Sequence, residues 1–127
     1  MNAINRRRFE RFALPAGYTP VAVRLVADST YRFEGHAYDV SEAGIRFELD
    51  QPIDPGTPVA IEFTLPSGAT NRPAQSVCAI ANVVWAADDA DEHGPVKMAA
   101  EFTRFARPLD KARLIDQLGA GRLQRAA

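Results

Sequence analysis

Apolar and polar residues alternate with a period of two in several short segments of this chain, the pattern of strands that turn one face to a core. PVAVRLVAD alternates and favours β-branched residues, which predicts a strand over Val21 to Val26. In YRFEGHAYDVS, Tyr31, Phe33 and Ala37 oppose Arg32, Glu34 and His36, and Gly35 breaks the alternation as a bulge or twist would. IRFEL sets Ile45, Phe47 and Leu49 on one face, with Arg46 and Glu48 on the other. VAIEFTL does the same with Val59, Ile61, Phe63 and Leu65, and SVCAIANVVW and VKMAAEF read as a fifth and a sixth strand. DST, SEAG, DQPIDPGTP, PSGATNRPAQ and ADDADEHGP supply turn and loop chemistry between them. After Phe105 the period changes. Pro108 suits a first helical turn, Leu114, Ile115 and Leu118 line one side, and Gly119 is a stop, which predicts a helix over 108–118.

Six short strands with turns between them predict a closed or nearly closed antiparallel barrel over residues 21–103, with the helix covering an open end or side. The class is therefore all-β. Residues 1–20 hold an arginine cluster and then ALPAGYTP, whose prolines and glycine argue against a long helix. They read as a mobile arm leading into the fold.

Composition narrows this picture. A length of 127 residues suits a single domain over 1–127, able to bury a core without staples. Fifteen Lys+Arg against sixteen Asp+Glu leave a formal net charge of −1. A protein that coats nucleic acid carries a basic excess, so neither DNA nor RNA is an expected partner, and any anion binding must be local. Cys78 is the single cysteine, which rules out an internal disulfide and a cysteine-rich metal site. It lies in a predicted strand without a catalytic signature around it. No apolar run approaches the ~18 residues of a membrane span, and no apolar h-region follows the basic start. The expected setting is cytoplasmic, without membrane insertion.

Three constellations invite a chemical reading. His36, Asp39 and Ser41 are close in sequence, but on a regular strand the odd offsets turn His36 away from the other two. The glycine-flanked nucleophile elbow of hydrolases is missing as well. Asp89, Asp91, His93 and Gly94 imitate the start of a calcium loop. Its twelfth position, which should hold a bidentate Glu, is Ala100, and Glu101 comes one residue late. A solvated acidic hairpin accounts for that segment, and neither a catalytic site nor a metal or other cofactor is expected.

The third constellation pairs RRRFERF, Arg6 to Phe12, with DVSEAG, Asp39 to Gly44. A carboxylate accepts two hydrogen bonds side by side, which matches the N1–H and N2–H₂ edge of guanine. Ser41 adds a hydroxyl that donates or accepts. Gly44 permits a positive φ and the close approach of a flat ligand. A guanidinium grips phosphate with two bonds and stacks on a purine. Taken singly, the first segment reads as a solvated basic tail and the second as an ordinary Asx or Ser turn. Together they offer a guanine-edge reader and a phosphate clamp.

These residues resemble the PilZ domain, a bacterial receptor module for cyclic di-GMP, which is marked by R-x-x-x-R near the start and (D/N)-x-S-x-x-G downstream. Arg7 to Arg11, preceded by Arg6, stands for the first motif, and Asp39-Val40-Ser41-Glu42-Ala43-Gly44 for the second. GIRFEL, NVVW, AAEF and the terminal helix are similar to later parts of the family's layout, although Ala99 and Ala100 depart from its Gly-Val-x-Phe pattern. The resemblance implies a six-stranded PilZ-type antiparallel β-barrel with a C-terminal α-helix. It implies that Arg7 and Arg11 grip phosphate and meet guanine, that Asp39 and Ser41 read a guanine edge, that Gly44 shapes the turn, and that Arg6 is an accessory contact. Arg8 ranks lower, and Arg46 faces either ligand or solvent. The implied function is a non-enzymatic receptor whose arm reorders on binding cyclic di-GMP and which signals to an effector protein in trans. The alternatives are an adaptor of the same fold that binds no nucleotide, and a small barrel for single-stranded nucleic acid, which would need aromatic platforms on a basic face.

Overall fold

The inward residues of the six predicted strands meet in one closed sheet. The computed structural model describes residues 11–14, 19–30, 33–64, 76–87, 95–119 and 124–125. Its elements are β1 (Phe12–Ala13), β2 (Pro20–Leu25), β3 (Phe33–Val40), β4 (Gly44–Leu49), β5 (Pro58–Thr64), β6 (Ser76–Ala86), β7 (Val96–Phe105), α1 (Pro108–Gly119) and β8 (Gln124–Arg125). The strand order β2-β5-β6-β7-β4-β3 returns to β2 through the β2–β3 pairing, and every pairing is antiparallel. The expected six-stranded barrel with a C-terminal helix is therefore present. Closure removes the exposed edges that an open sheet would carry.

Two short strands lie outside the predicted six. β1 pairs with the second half of β3 (Phe12↔Val40, Ala13↔Asp39), beyond the point where β2 pairs with the first half (Pro20↔His36 to Val23↔Phe33). β8 adds to the far side of β1. Most of the expected arm over residues 1–20 lies outside the described residues, as do Arg6 and Arg7. Its Arg11–Leu14 portion is held against β3, with Leu14 buried and its N–H donating to the Tyr38 carbonyl at 3.0 Å.

Val23, Phe47, Leu49, Ile61, Phe63, Val83 and Met98 are fully buried in a single cluster. Each such side chain contributes about 1.5–3 kcal/mol through the apolar surface it removes from water. Leu114 and Leu118 carry α1 into the same cluster, against β6 and β7. Ile115, expected beside them, is instead 40% exposed. Helix spacing puts Leu114 and Leu118 four apart on one stripe, and Ile115 sits about 100° around from Leu114. At the start of α1, the buried Asp110 carboxylate accepts from the Arg107 backbone N–H (3.1 Å) and from its guanidinium (2.9 and 3.0 Å). Arg113 approaches the same carboxylate at 3.6 Å.

The strands depart from simple alternation at three places. β3 has a register shift against β4 between Ala37 and Asp39, and β6 and β7 shift against each other at Ile80/Ala81 and at Val83/Trp85. Each is a bulge, which sets two consecutive residues of one strand outward. The inward pairs are consequently three apart: Ala37 and Val40, Val83 and Ala86, Phe102 and Phe105. The bulge expected at Gly35 thus lies at Tyr38. Gly35 is needed for another reason, because a Cβ there would run into the Glu48 carbonyl. β7 also runs to Phe105, past the end of VKMAAEF, and Phe102 stacks on Phe63 with ring centroids 6.1 Å apart.

Gly44 is the other glycine held by close approach. A Cβ at Gly44 would lie 2.5 Å from the Ala100 carbonyl oxygen of β7. Gly44 does not use the positive φ that a glycine permits, and among the described glycines only Gly56 has one, at 92°. Gly44→Ala should push β4 from β7 and lower stability by about 1–3 kcal/mol, as overpacking does, measurable by urea denaturation. Asp110→Ala should cost about 1–3 kcal/mol by the same measurement, since it removes both the helix cap and a charged acceptor.

Candidate functional site

The site is built where β1, the end of β3 and the following turn come together. Residues directly opposite each other on paired strands share a face. Ala37 opposes Phe47 and Val40 opposes Ile45, and all four point into the core. Between them Asp39 opposes Arg46, so both lie on the outer face. The bulge at Tyr38 produces this phase. A regular strand would set Asp39 opposite Ile45 and drive a carboxylate into the core, at a severe desolvation cost.

The outer face here is not open water. Asp39 is 7% exposed and Ser41 8%. Arg46 approaches the Asp39 carboxylate at 3.8 Å, within reach of an ion pair but too long for a hydrogen bond. The Arg46 side chain is 40% exposed, so the pair is of the weak, screened kind. This resolves the open direction of Arg46 toward the site. The register Phe12↔Val40 carries Arg11 across from Ser41, bringing an arginine of the first motif beside the second. Tyr38 reports on the charge around it. Burial is the largest cause raising its hydroxyl pKa above the usual 10.0, Asp39 adds to the rise, and Arg46 opposes it more than Arg11 does. Lys97 sits over the Tyr38 ring, 5.7 Å from its centroid.

Ser41 has a structural task of its own. Its Oγ accepts from the N–H of Ala43 (3.1 Å) and of Gly44 (3.2 Å), while its own N–H donates to the Gly44 carbonyl at 2.9 Å. Both acceptor positions of the hydroxyl are thereby used within the turn. Toward a ligand, Ser41 acts as a donor, so of the two roles its residue type allows the fold leaves one. The turn is tied to β7 by the Phe102 N–H, which donates to the Ala43 carbonyl at 2.8 Å.

These groups line one groove of about 960 Å³, which also takes in Val84, Ala99 to Phe105, Arg107 and Lys111. Of the expected site residues, Arg11, Asp39, Ser41 and Gly44 all border it. Arg6 and Arg7 lie outside the described residues. The groove is larger than the two motifs, and alternation alone misses Arg104, since an unbulged β7 would turn it inward. The three-residue gap between Phe102 and Phe105 is the signal that could have found it. Elsewhere, His36 is exposed and lies opposite Glu48, outside this groove. The calcium-like segment at Asp89 to Gly94 falls outside the described residues. Among the described residues, no group of three or more His, Cys, Asp or Glu side chains is placed to hold a metal ion, and no helix is long and apolar enough to cross a membrane.

The groove can hold a flat, hydrogen-bonding ligand with negative charge: a carboxylate and a hydroxyl donor at its floor, guanidiniums at its rim. No curated protein matches the chain. Among solved structures it is similar to the Bacillus subtilis inhibitor of motility MotI/DgrA, at 19% identity and a TM-score of 0.64 over 94% of this chain. That match spans only 55% of the Bacillus chain, so this chain corresponds to about half of it. It is also similar to the PilZ domain of YcgR from Escherichia coli, determined with c-di-GMP, at 18% identity and a TM-score of 0.63 over 91% of this chain and 90% of that one. The profile of the PilZ domain matches residues 5–119, and the chain belongs to the PilZ domain family.

Proposed function

We propose that the groove binds cyclic di-GMP and that the protein is a non-catalytic receptor, which passes the occupied state to a partner protein in trans. The observation that carries this reading is that Arg11, the last residue of the first motif, borders the same groove as Asp39, Ser41 and Gly44 of the second, 28 positions on (Arg11 to Asp39). The YcgR structures similar to this chain hold c-di-GMP, which supports the choice of ligand.

The chemistry follows from the groups present. Asp39 offers two acceptor oxygens to the N1–H and N2–H₂ edge of a guanine. The Arg46 contact with Asp39 is weak, so its guanidinium can turn to the ligand at little cost. Arg11 grips a phosphate or stacks on the purine face. Ser41 donates its remaining hydroxyl proton, and the tightly tied turn through Gly44 keeps the floor in place. Arg7, with Arg6 as an accessory contact, would add charge from the segment before Arg11. Because Arg11–Leu14 is already paired with β3, the closing of arginines over the ligand, a known kind of switch, would be confined to residues preceding Arg11. The surface so created is the signal offered to the partner.

Isothermal titration of the purified protein with cyclic di-GMP should show binding. Arg11→Ala and Asp39→Ala should each abolish it while the thermal melt of the barrel persists. Absence of heat at ~100 μM ligand, enough to half-saturate a site of that Kd, would exclude the receptor reading and favour an adaptor of this fold that takes no nucleotide.

A further inference from the structure

The groove has a second cationic wall that belongs to neither motif. In β7 the register shift leaves Thr103 as the extra residue between Phe102↔Ala81 and Arg104↔Ile80. The Thr103 hydroxyl donates to the Ile80 carbonyl at 3.1 Å and fastens the bulge. Phe102 and Phe105 both point inward, so Thr103 and Arg104 are consecutive outward residues. An unbulged strand would set Arg104 opposite the fully buried Ala79. The same device that brings Asp39 out of the core on β3 brings Arg104 out on β7.

Its position relative to the turn is set by backbone pairing. The Phe102 N–H donates to the Ala43 carbonyl, and Arg104 lies two residues farther on, roughly 6–7 Å along the strand. On the other side, Arg46 pairs with Ala99, two residues before Glu101, the partner of Gly44. The turn that carries Ser41 is thus flanked by an arginine on each side. Lys111 lines the same groove from the first turn of α1. Arg107 is committed to Asp110 and Arg46 approaches Asp39. Arg104 and Lys111 have no ion pair among the described residues, and both are exposed. Glu42 and Glu101 also line the groove, so an anion seated there needs compensating cations on this wall.

We propose that Arg104 and Lys111 hold a phosphate of the bound cyclic dinucleotide, across the groove from Arg11. This rests on the receptor reading above and extends it. A cyclic dinucleotide carries its two phosphates on opposite sides of one ring, and a groove with guanidiniums on both walls engages both. The two residues then set affinity without forming part of the guanine-reading floor.

The test is titration of cyclic di-GMP into the wild type, Arg104→Ala, Lys111→Ala, the double variant and Arg104→Lys at several salt concentrations, with thermal melts alongside. Each alanine variant should bind about tenfold more weakly, as for loss of a charge-assisted hydrogen bond, and the double variant more weakly still. The dependence of log Kd on log salt should become shallower, because fewer cations meet phosphate. Arg104→Lys should retain part of the affinity, and the melting temperatures should stay at the wild-type value. Wild-type affinity and salt dependence in the alanine variants would overturn the proposal. So would a loss of affinity that tracks a lowered melting temperature, which marks a structural role. A wild type that fails to bind would sink the receptor reading itself, a result distinct from either.

Discussion

One extra residue in β3 decides whether this barrel has a site. Tyr38 is inserted between Ala37↔Phe47 and Asp39↔Arg46, and that insertion turns Asp39 from the core to the outer face. The bulge is held on both sides. β4 supplies the shifted register, and the Leu14 N–H satisfies the carbonyl of Tyr38 itself. A buried strand with an unpaired carbonyl would be costly, so the docking of β1 and the position of Asp39 belong to one arrangement. Arg11 reaches the site for the same reason, being the residue before β1 and lying across from Ser41.

The rest of the site depends on this frame and on the close approach of β4 to β7. The turn at residues 41–44 is stitched by Ser41 to its own backbone and by Ala43 to Phe102. Its polar groups are largely used internally, which makes it a rigid floor. The groups that border the groove are specific in kind: the Asp39 carboxylate, the Ser41 hydroxyl and several guanidiniums. In a protein of net charge −1, Arg11, Arg46, Arg104, Arg107 and Lys111 are gathered around one groove.

Much of this arrangement is legible in the amino-acid sequence. Alternation identifies all six barrel strands within a few residues, because each has one face in a core that only apolar residues can fill. The motif pair leads to Arg11, Asp39, Ser41 and Gly44 at one groove. What alternation cannot show is the phase change at each bulge, since a bulge depends on the partner strand's register and not on the bulged strand alone. Its trace is an apolar gap of three, in Phe102 and Phe105 and in Val83 and Ala86. The outward turn of Arg104 is legible only through that gap, while the direction of Arg46 toward Asp39 follows from the β3–β4 register and is out of reach of a single strand's pattern. Strands β1 and β8, two residues each, are too short to carry a period. The role of Gly44 is obscured for a related reason, because the carbonyl it must accommodate belongs to Ala100 of β7, far along the chain.

The central claim is that ligand occupies the groove created by the Tyr38 bulge. Backbone amide shifts of isotopically labelled protein, followed by NMR as cyclic di-GMP is added, test it most directly. The account predicts shifts concentrated at Arg11, at Asp39 to Arg46 and along β7 from Ala99 to Arg104, with little change at Glu34, His36 and Glu62, which line a different hollow. Shifts gathered at those latter residues, or none at saturating ligand, would contradict it.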